Sequence, residues 1–320
     1  MTPTQATVAV VRCPTYAPSA VQEAVQRSLA LLGGAERFIR PGWRVLIKPN
    51  LIVPVGADIP AQTHPEIICA AAEWVRQADA IPVIGDSPAW GSVQSCLSAL
   101  GVLKRLEYLG AEITPLNRPV RLNIEGTSIG VSRAALEVDA IINLPKLKAH
   151  QQLGATFAFK NMYGCVAGKE KAFWHFAKGR SYASFCRMLV GVYCRLAPAV
   201  NLIDGIVAME GQGPISGTAR PLGVLVAGTD AAACERICCR LVGFDPNALP
   251  ILQTAAQMGI GCHNENAIEC VGDPWTVPLC PDFKPARQVP LRFTFGRICK
   301  SIARQAVLLG RERFRRSGRG

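Results

Sequence analysis

A chain of 320 residues, 49% hydrophobic and 18% charged, is long enough to bury a large core, and its glycines and prolines are scattered, which excludes a disordered protein. Its net charge of +12 is uneven: residues 287–320 hold ten basic side chains against Glu312, and +12 less that segment's +9 leaves +3 for residues 1–286. A near-neutral body with a basic appendage gives no ground for expecting specific nucleic-acid binding.

The first predicted element is a strand at 7–11, followed by an amphipathic helix at 19–32 that Gly33-Gly34 closes. Strands follow at 45–48 and 81–84, with a helix at 64–77 between them that carries Pro65 in its first turn. Helices at 92–100 and 103–109 lead to a strand at 112–115. A hairpin over 120–131 turns near Glu125-Gly126, and a short helix at 133–137 precedes a strand at 140–144. From Pro145 to about Arg195 the chain becomes rich in Gly, Lys and aromatics and reads as loop, with one helix at 182–196. Strands at 200–203 and 223–227 flank a turn-rich stretch, then come helices at 231–241 and 250–258 and a strand at 267–271.

This alternation predicts an α/β fold: a mostly parallel sheet with helices on both faces, in Rossmann-like layers. A single domain over 1–286 is expected, with a subdomain at 145–200. The basic tail, 287–320, reads as an amphipathic helix. Leu291, Phe295, Ile298, Ile302 and Leu309 form one stripe, and Arg297, Lys300, Arg304 and Arg311 lie opposite. Such a helix fits an anionic membrane surface, an acidic protein partner or the body itself. The thirteen irregularly spaced cysteines argue against a disulfide framework, and no apolar run is long enough to span a bilayer. A reducing, cytoplasmic location is expected, with peripheral contact at the inner membrane face.

Parallel sheets bind ligands beyond the C-terminal ends of their strands. Polar motifs sit there: Lys48-Pro49-Asn50, Gly85-Asp86-Ser87-Pro88, Asn143-Leu144-Pro145-Lys146, Asp204-Gly205 and Thr229-Asp230. The segment 143–175 is the densest. Lys146, Lys148 and Lys160 are suited to neutralising an anionic small molecule, and Gly164 and Gly168 allow close backbone approach; the plainer alternative is a surface loop with ordinary lysines. The candidate ligand set is Lys48, Asn50, Asp86, Asn143, Lys146, Lys148, Asn161, Gly164, Glu210, Gly211 and Gly213. His150, His175, Lys160 and Cys165 are the catalytic candidates. Imidazole and amine groups transfer protons, and nearby ammonium groups favour a thiolate at Cys165, for which nucleophile, metal ligand and inert thiol are all open roles. A metal ion is a candidate cofactor, with His64, Asp86, Asp204 and Glu210 as candidate ligands. Asp230, which could also serve as a ligand or acid–base group, reads foremost as the cap of the helix at 231–241. No phosphate-loop motif occurs, and no GxGxxG follows a first strand.

Seven ordered motifs, KPNL (48–51), THPE (63–66), GDSP (85–88), INLPKLKAH (142–150), FKNMYGCVAGKEK (159–171), LIDGIVAMEGQGP (202–214) and GFDP (243–246), resemble the domain of unknown function 362 family over residues 5–275. The resemblance implies an association with iron–sulfur redox chemistry, because many members carry a ferredoxin-like cysteine module. This chain has no CxxCxxCxxxCP run, so a four-iron four-sulfur cluster of that type is not expected. Ala149 stands where a threonine is usual before the motif histidine. Ala232-Ala233-Cys234-Glu235 replaces a more acidic helix start, with Glu235 keeping a carboxylate. A looser similarity, in fold class and in the His/Lys/Gly-rich segment, is to nickel-pincer lactate racemases. The expected function is a redox enzyme acting on an anionic substrate or cofactor. The alternative is a non-catalytic ligand-binding, metal-binding or assembly protein docked to a membrane or acidic partner.

Overall fold

The computed structural model describes residues 5–168, 170–179, 181–274 and 278–291. Its first half runs β1 (Ala6–Arg12), α1 (Pro18–Ala30), α2 (Ala35–Phe38), β2 (Arg44–Pro49), α3 (Pro65–Gln77), β3 (Ile81–Asp86), α4 (Val93–Ala99), α5 (Leu103–Tyr108) and β4 (Glu112–Pro115). A separate hairpin, β5 (Pro119–Ile124) and β6 (Thr127–Ser132), leads through α6 (Arg133–Leu136) to β7 (Ala140–Leu144). Then follow β8 (Lys146–His150), β9 (Gly154–Thr156), α7 (Ala158–Asn161), a 3-10 turn at Met162–Cys165, α8 (Glu170–Ala177) and α9 (Tyr182–Leu196). The chain closes with β10 (Val200–Glu210), β11 (Thr218–Gly228), α10 (Ala231–Leu241), α11 (Pro250–Gln257) and β12 (Ile268–Gly272).

Local chemistry explains the helix starts. His64 caps α3 through Nδ1, which accepts from the Glu66 N–H at 3.2 Å, and Pro65 occupies the first turn where its missing N–H costs nothing. Ser92 and Ser95 form a reciprocal capping box on α4, and Asp230 caps α10 by accepting from Ala233 N–H at 2.9 Å.

The main sheet has the strand order β12-β1-β11-β10-β7-β2-β3-β4. β11 alone runs antiparallel to its neighbours along this path; the other pairings are parallel. Strand residues alternate between two cores. Val8, Val10 and Leu46 join one with α9, α10 and α11, while Ala9, Val11, Val45 and Ile47 join the other with α1, α3 and α4. Helices therefore cover both faces, as the alternation predicts. From β2 the chain moves outward through β3 to β4, then returns to place β7 on β2's other side. The C-terminal ends of β2 and β7 thus flank a topological switch point, the position at which open α/β sheets generally bind ligands.

Two expectations need correction. The segment after Pro145 is not all loop: Lys146–His150 is a strand that takes over from β7 beside the second half of β10. Likewise, the strand predicted at 200–203 continues to Glu210, and 218–228 forms the long partner arm, so the turn is confined to residues 211–217. Asp204 and Gly205 look like turn residues, but β8 supplies Asp204 with a lysine partner and a bulge near Gly205 absorbs the irregularity. Residues 284–291 run beside the end of β8 and the β10–β11 turn, with Val289 N–H bonded to Gln151 O, and Leu291 is 2% exposed. The rest of the predicted amphipathic tail, 292–320, lies outside the described residues.

Candidate functional site

Strand geometry builds the first half of the site. In β8 side chains alternate, so Lys146, Lys148 and His150 share one face while Leu147 and Ala149 enter the core. Lys146 donates to Asp204 Oδ2 at 2.8 Å and to the Tyr16 hydroxyl at 2.7 Å, and Tyr16 in turn donates to Asp204 Oδ1 at 2.7 Å. Burial, then the Asp204 charge, raises the Tyr16 phenol above its ordinary value, so it stays a donor. The His64 ring stacks on Tyr16 at 3.5 Å and 8°. Burial pushes that imidazole down to about 4, and because Nδ1 accepts from Glu66, the proton of the neutral ring sits on Nε2. A cavity of about 200 Å³ opens over this group, lined by Tyr16, Gln62, His64, Lys146 and Val207 among others.

The switch point itself holds a second ion pair, Lys48 with Asp86 at 2.9 Å, both almost fully buried. Asp86 also accepts from Leu51 and Ser87 backbone N–H groups, and Lys48 donates to Pro49 O. Gly164 packs directly on this pair: a Cβ there would strike the Asp86 carboxylate and lie 2.6 Å from Lys48 Nζ. The glycine serves close approach, here to protein atoms.

Three further lysines have no carboxylate partner among the described residues. Lys148 donates to Asn50 Oδ1 and to Ala61 O, Lys171 donates to Ser87 O, and Lys160 lies 5.0 Å from the Tyr163 ring with no hydrogen-bond acceptor. Burial is the main force lowering all three amines, which brings Lys160 and Lys171 to about 8 and Lys148 well below the ordinary lysine value. Repulsion from neighbouring lysines adds to it, and Asp86 opposes it. Five lysines thus face two carboxylates.

Asparagines hold this arrangement in place. Asn161 donates to Asn143 Oδ1 at 2.7 Å and to Lys48 O at 3.0 Å, and Asn143 donates to Asn201 Oδ1 and to Ala158 O. Glu235 on α10 accepts from Phe159 N–H at 2.8 Å, and burial raises its carboxyl to about 8. The short helix α7 is therefore tied down on both sides of Lys160. Asn143 and Asn161, expected as ligand groups, spend their amides on this scaffold.

His150 Nδ1 accepts from Gln152 N–H at 3.1 Å, and burial first, then Lys160 and Lys148, lower its pKa well below the usual range. His175 packs against Tyr163 and Phe185, bonds to Leu291 O and is pushed by burial to about 3. Both rings are neutral at pH 7. The thiolate expected at Cys165 is overturned: the side chain is fully buried, and desolvation drives the thiol up to about 12 despite the neighbouring Lys48. Glu210, Gly211 and Gly213 go elsewhere. Glu210 and Gly211 bond to the Lys284 backbone, and Gly213 packs against the Ala149 carbonyl. The four metal candidates do not converge: Asp86 and Asp204 each pair with a lysine, His64 caps a helix, and no group of three potential ligands forms among the described residues. Tyr16, Gln62 and Lys171 were missed. Tyr16 follows the end of β1, where the strand-end rule applied to the first strand would have found it.

Residues 45–240 match the family described as Domain of unknown function (DUF362). The chain belongs to that family. Over 256 residues, 79% of each protein, it is 36% identical to a thylakoid-associated protein of Synechocystis sp.. Two solved structures, each 12% identical, have a similar course. One is the lactate racemase apoprotein from Thermoanaerobacterium thermosaccharolyticum (TM-score 0.46, 73% of this chain and 57% of that one). The other is a protein from Thermotoga maritima (TM-score 0.42, 71% and 59%). This chain spans less than two thirds of either, and the likeness is too loose to bear on chemistry. In this member of DUF362, the matched segment contains all five lysines and both paired carboxylates, whereas Tyr16 lies outside it.

Proposed function

We propose that this DUF362 protein is an enzyme that binds a small organic or phosphorylated anion at the β2/β7 switch point. The observation that carries the reading is the charge imbalance of the buried cluster: Lys148, Lys160 and Lys171 have no carboxylate partner among the described residues. Uncompensated ammonium groups are costly to bury, and an anion restores the balance. Lys148, Lys160 and Lys171 hold the anion in this reading, and His150 and His175 move protons beside it. The redox character implied by the family resemblance belongs to the same proposal, with the electron carrier supplied as a bound anionic partner. Orthophosphate and pyrophosphate test the binding step in thermal melts against sodium chloride of equal ionic strength. Ligand at a hundredfold excess over its Kd raises Tm by about 4 °C or more, and Lys148→Ala abolishes the rise. Equal melts in phosphate and chloride reject the reading.

A second reading concerns location. No described helix is long and apolar enough to cross a membrane. The ten-to-one excess of basic over acidic residues in 287–320, with a relative named for its thylakoid association, supports peripheral docking of this chain on an anionic bilayer.

A further inference from the structure

We infer that Lys160 is a reactive amine that condenses with the carbonyl group of a 2-oxo acid held by the neighbouring lysines. The inference rests on the anion-binding reading above. Lys160 differs from the other four lysines of the cluster in its hydrogen bonding, and two further features suit it to reaction.

It is the only one of the five whose Nζ has no hydrogen-bond acceptor among the described residues; its contact is the Tyr163 ring. Like Lys171 it is partly open, whereas Lys48, Lys146 and Lys148 are no more than 4% exposed. Finally, its backbone is fixed from two directions, by Glu235 on Phe159 N–H and by Asn161 on Lys48 O. A nucleophile on a clamped turn, with its lone pair committed to nothing, is arranged for attack. The lowered pKa of about 8 supports this, since about a tenth of the amine is then neutral at pH 7, far more than for an ordinary lysine.

The surroundings supply the rest. Lys148 and Lys171, which have no carboxylate partner among the described residues, are suited to the substrate's carboxylate. His150 lies near enough for the Lys160 charge to act on it, and because its Nδ1 accepts from Gln152, its Nε2 carries a proton to give. The Lys160 lone pair forms the C–N bond as the carbonyl π pair moves to oxygen, which takes up a proton; the nitrogen loses one. The resulting carbinolamine then expels its hydroxyl as water, with a second nitrogen proton lost to form the C=N bond. The sum is amine plus ketone giving imine plus water, and no oxidant or reductant is consumed.

Borohydride reduction of the full chain in the presence of pyruvate, and separately of 2-oxoglutarate, tests the step. The expected result is a single reduced adduct per chain by intact mass, mapped to Lys160 by peptide analysis. That adduct is suppressed by excess orthophosphate and missing in Lys160→Arg, which melts within a few degrees of the parent. No adduct at Lys160 of the parent chain, or label spread evenly over surface lysines, overturns the inference. Melts in orthophosphate separate the two levels: a retained rise in Tm without an adduct leaves anion binding standing, and neither signal removes both.

Discussion

At the scale of single residues, burial decides which ionisable groups are available for chemistry. Cys165 and Lys160 lie in the same segment near the same lysines, yet desolvation pushes the thiol away from its reactive form and the amine toward it, because the reactive thiolate is charged and the reactive amine is neutral. Glu235 gives a measurable consequence. Its folded pKa of about 8 lies above the ordinary 4.5, so the folded state holds the proton; the associated stability is complete below 4.5 and is lost as pH rises through 8. Lys160 and Lys171, lowered from 10.5 to about 8, act oppositely and gain stability between those values. Glu235→Gln isolates the first effect: its stability relative to the parent improves by about 2 kcal/mol or more between pH 5 and pH 9, read by denaturant unfolding. Asp204→Asn leaves buried Lys146 without its counter-charge, and a loss of about 3 kcal/mol or more is expected in the same measurement.

Among the elements, β8 was misjudged from sequence although its alternation was visible. Lys-Leu-Lys-Ala-His has the period of two that a strand requires, but three polar residues on one face look solvated until tertiary neighbours bury them. By contrast α3, α9 and α10 were legible almost to the residue, since each has an apolar stripe and a start signal in its own sequence. The asparagine scaffold was not legible. Asn143, Asn161 and Asn201 are 18 and 58 residues apart along the two hydrogen bonds that join them, and nothing local marks the pairing. The β10–β11 turn offers a test of close packing. A side chain at Gly213 would run into the Ala149 carbonyl of β8, a backbone atom that cannot swing aside. Gly213→Ala is expected to cost about 1–3 kcal/mol in equilibrium unfolding and to weaken any ligand-induced rise in Tm, because it displaces the strand that carries Lys148 and His150.

On the scale of the whole molecule, the position of the site follows from topology. The chain reverses direction across the sheet between β4 and β7, and Lys48, Asn50 and Asn143 stand at or just beyond the C-terminal ends of β2 and β7 on either side of that switch. The described part of the C-terminal segment packs beside the end of β8. Val289 and Leu291 bond to Gln151 and Gln152, so a deletion meant to test the basic tail alone should begin after Leu291 and spare these contacts. A chain ending there is expected to keep its Tm within a few degrees and to lose sedimentation with vesicles containing anionic lipid. Equal sedimentation of both chains rejects membrane docking by the tail.

The amino-acid sequence by itself determined the βα rhythm, the two-faced cover of the sheet, the strand-end placement of four of the five polar motifs and the concentration of positive charge in the last 34 residues. These are local or compositional properties, set by apolar periodicity, caps and charge. Tertiary structure decided which charges cancel. Lys146 meets Asp204 only through the register of β8 on β10, Lys48 meets Asp86 only because β2 and β3 end side by side, and Lys148, Lys160 and Lys171 are left over. An electrostatic site is a difference between opposing charges, and that difference exists only once the strands are paired.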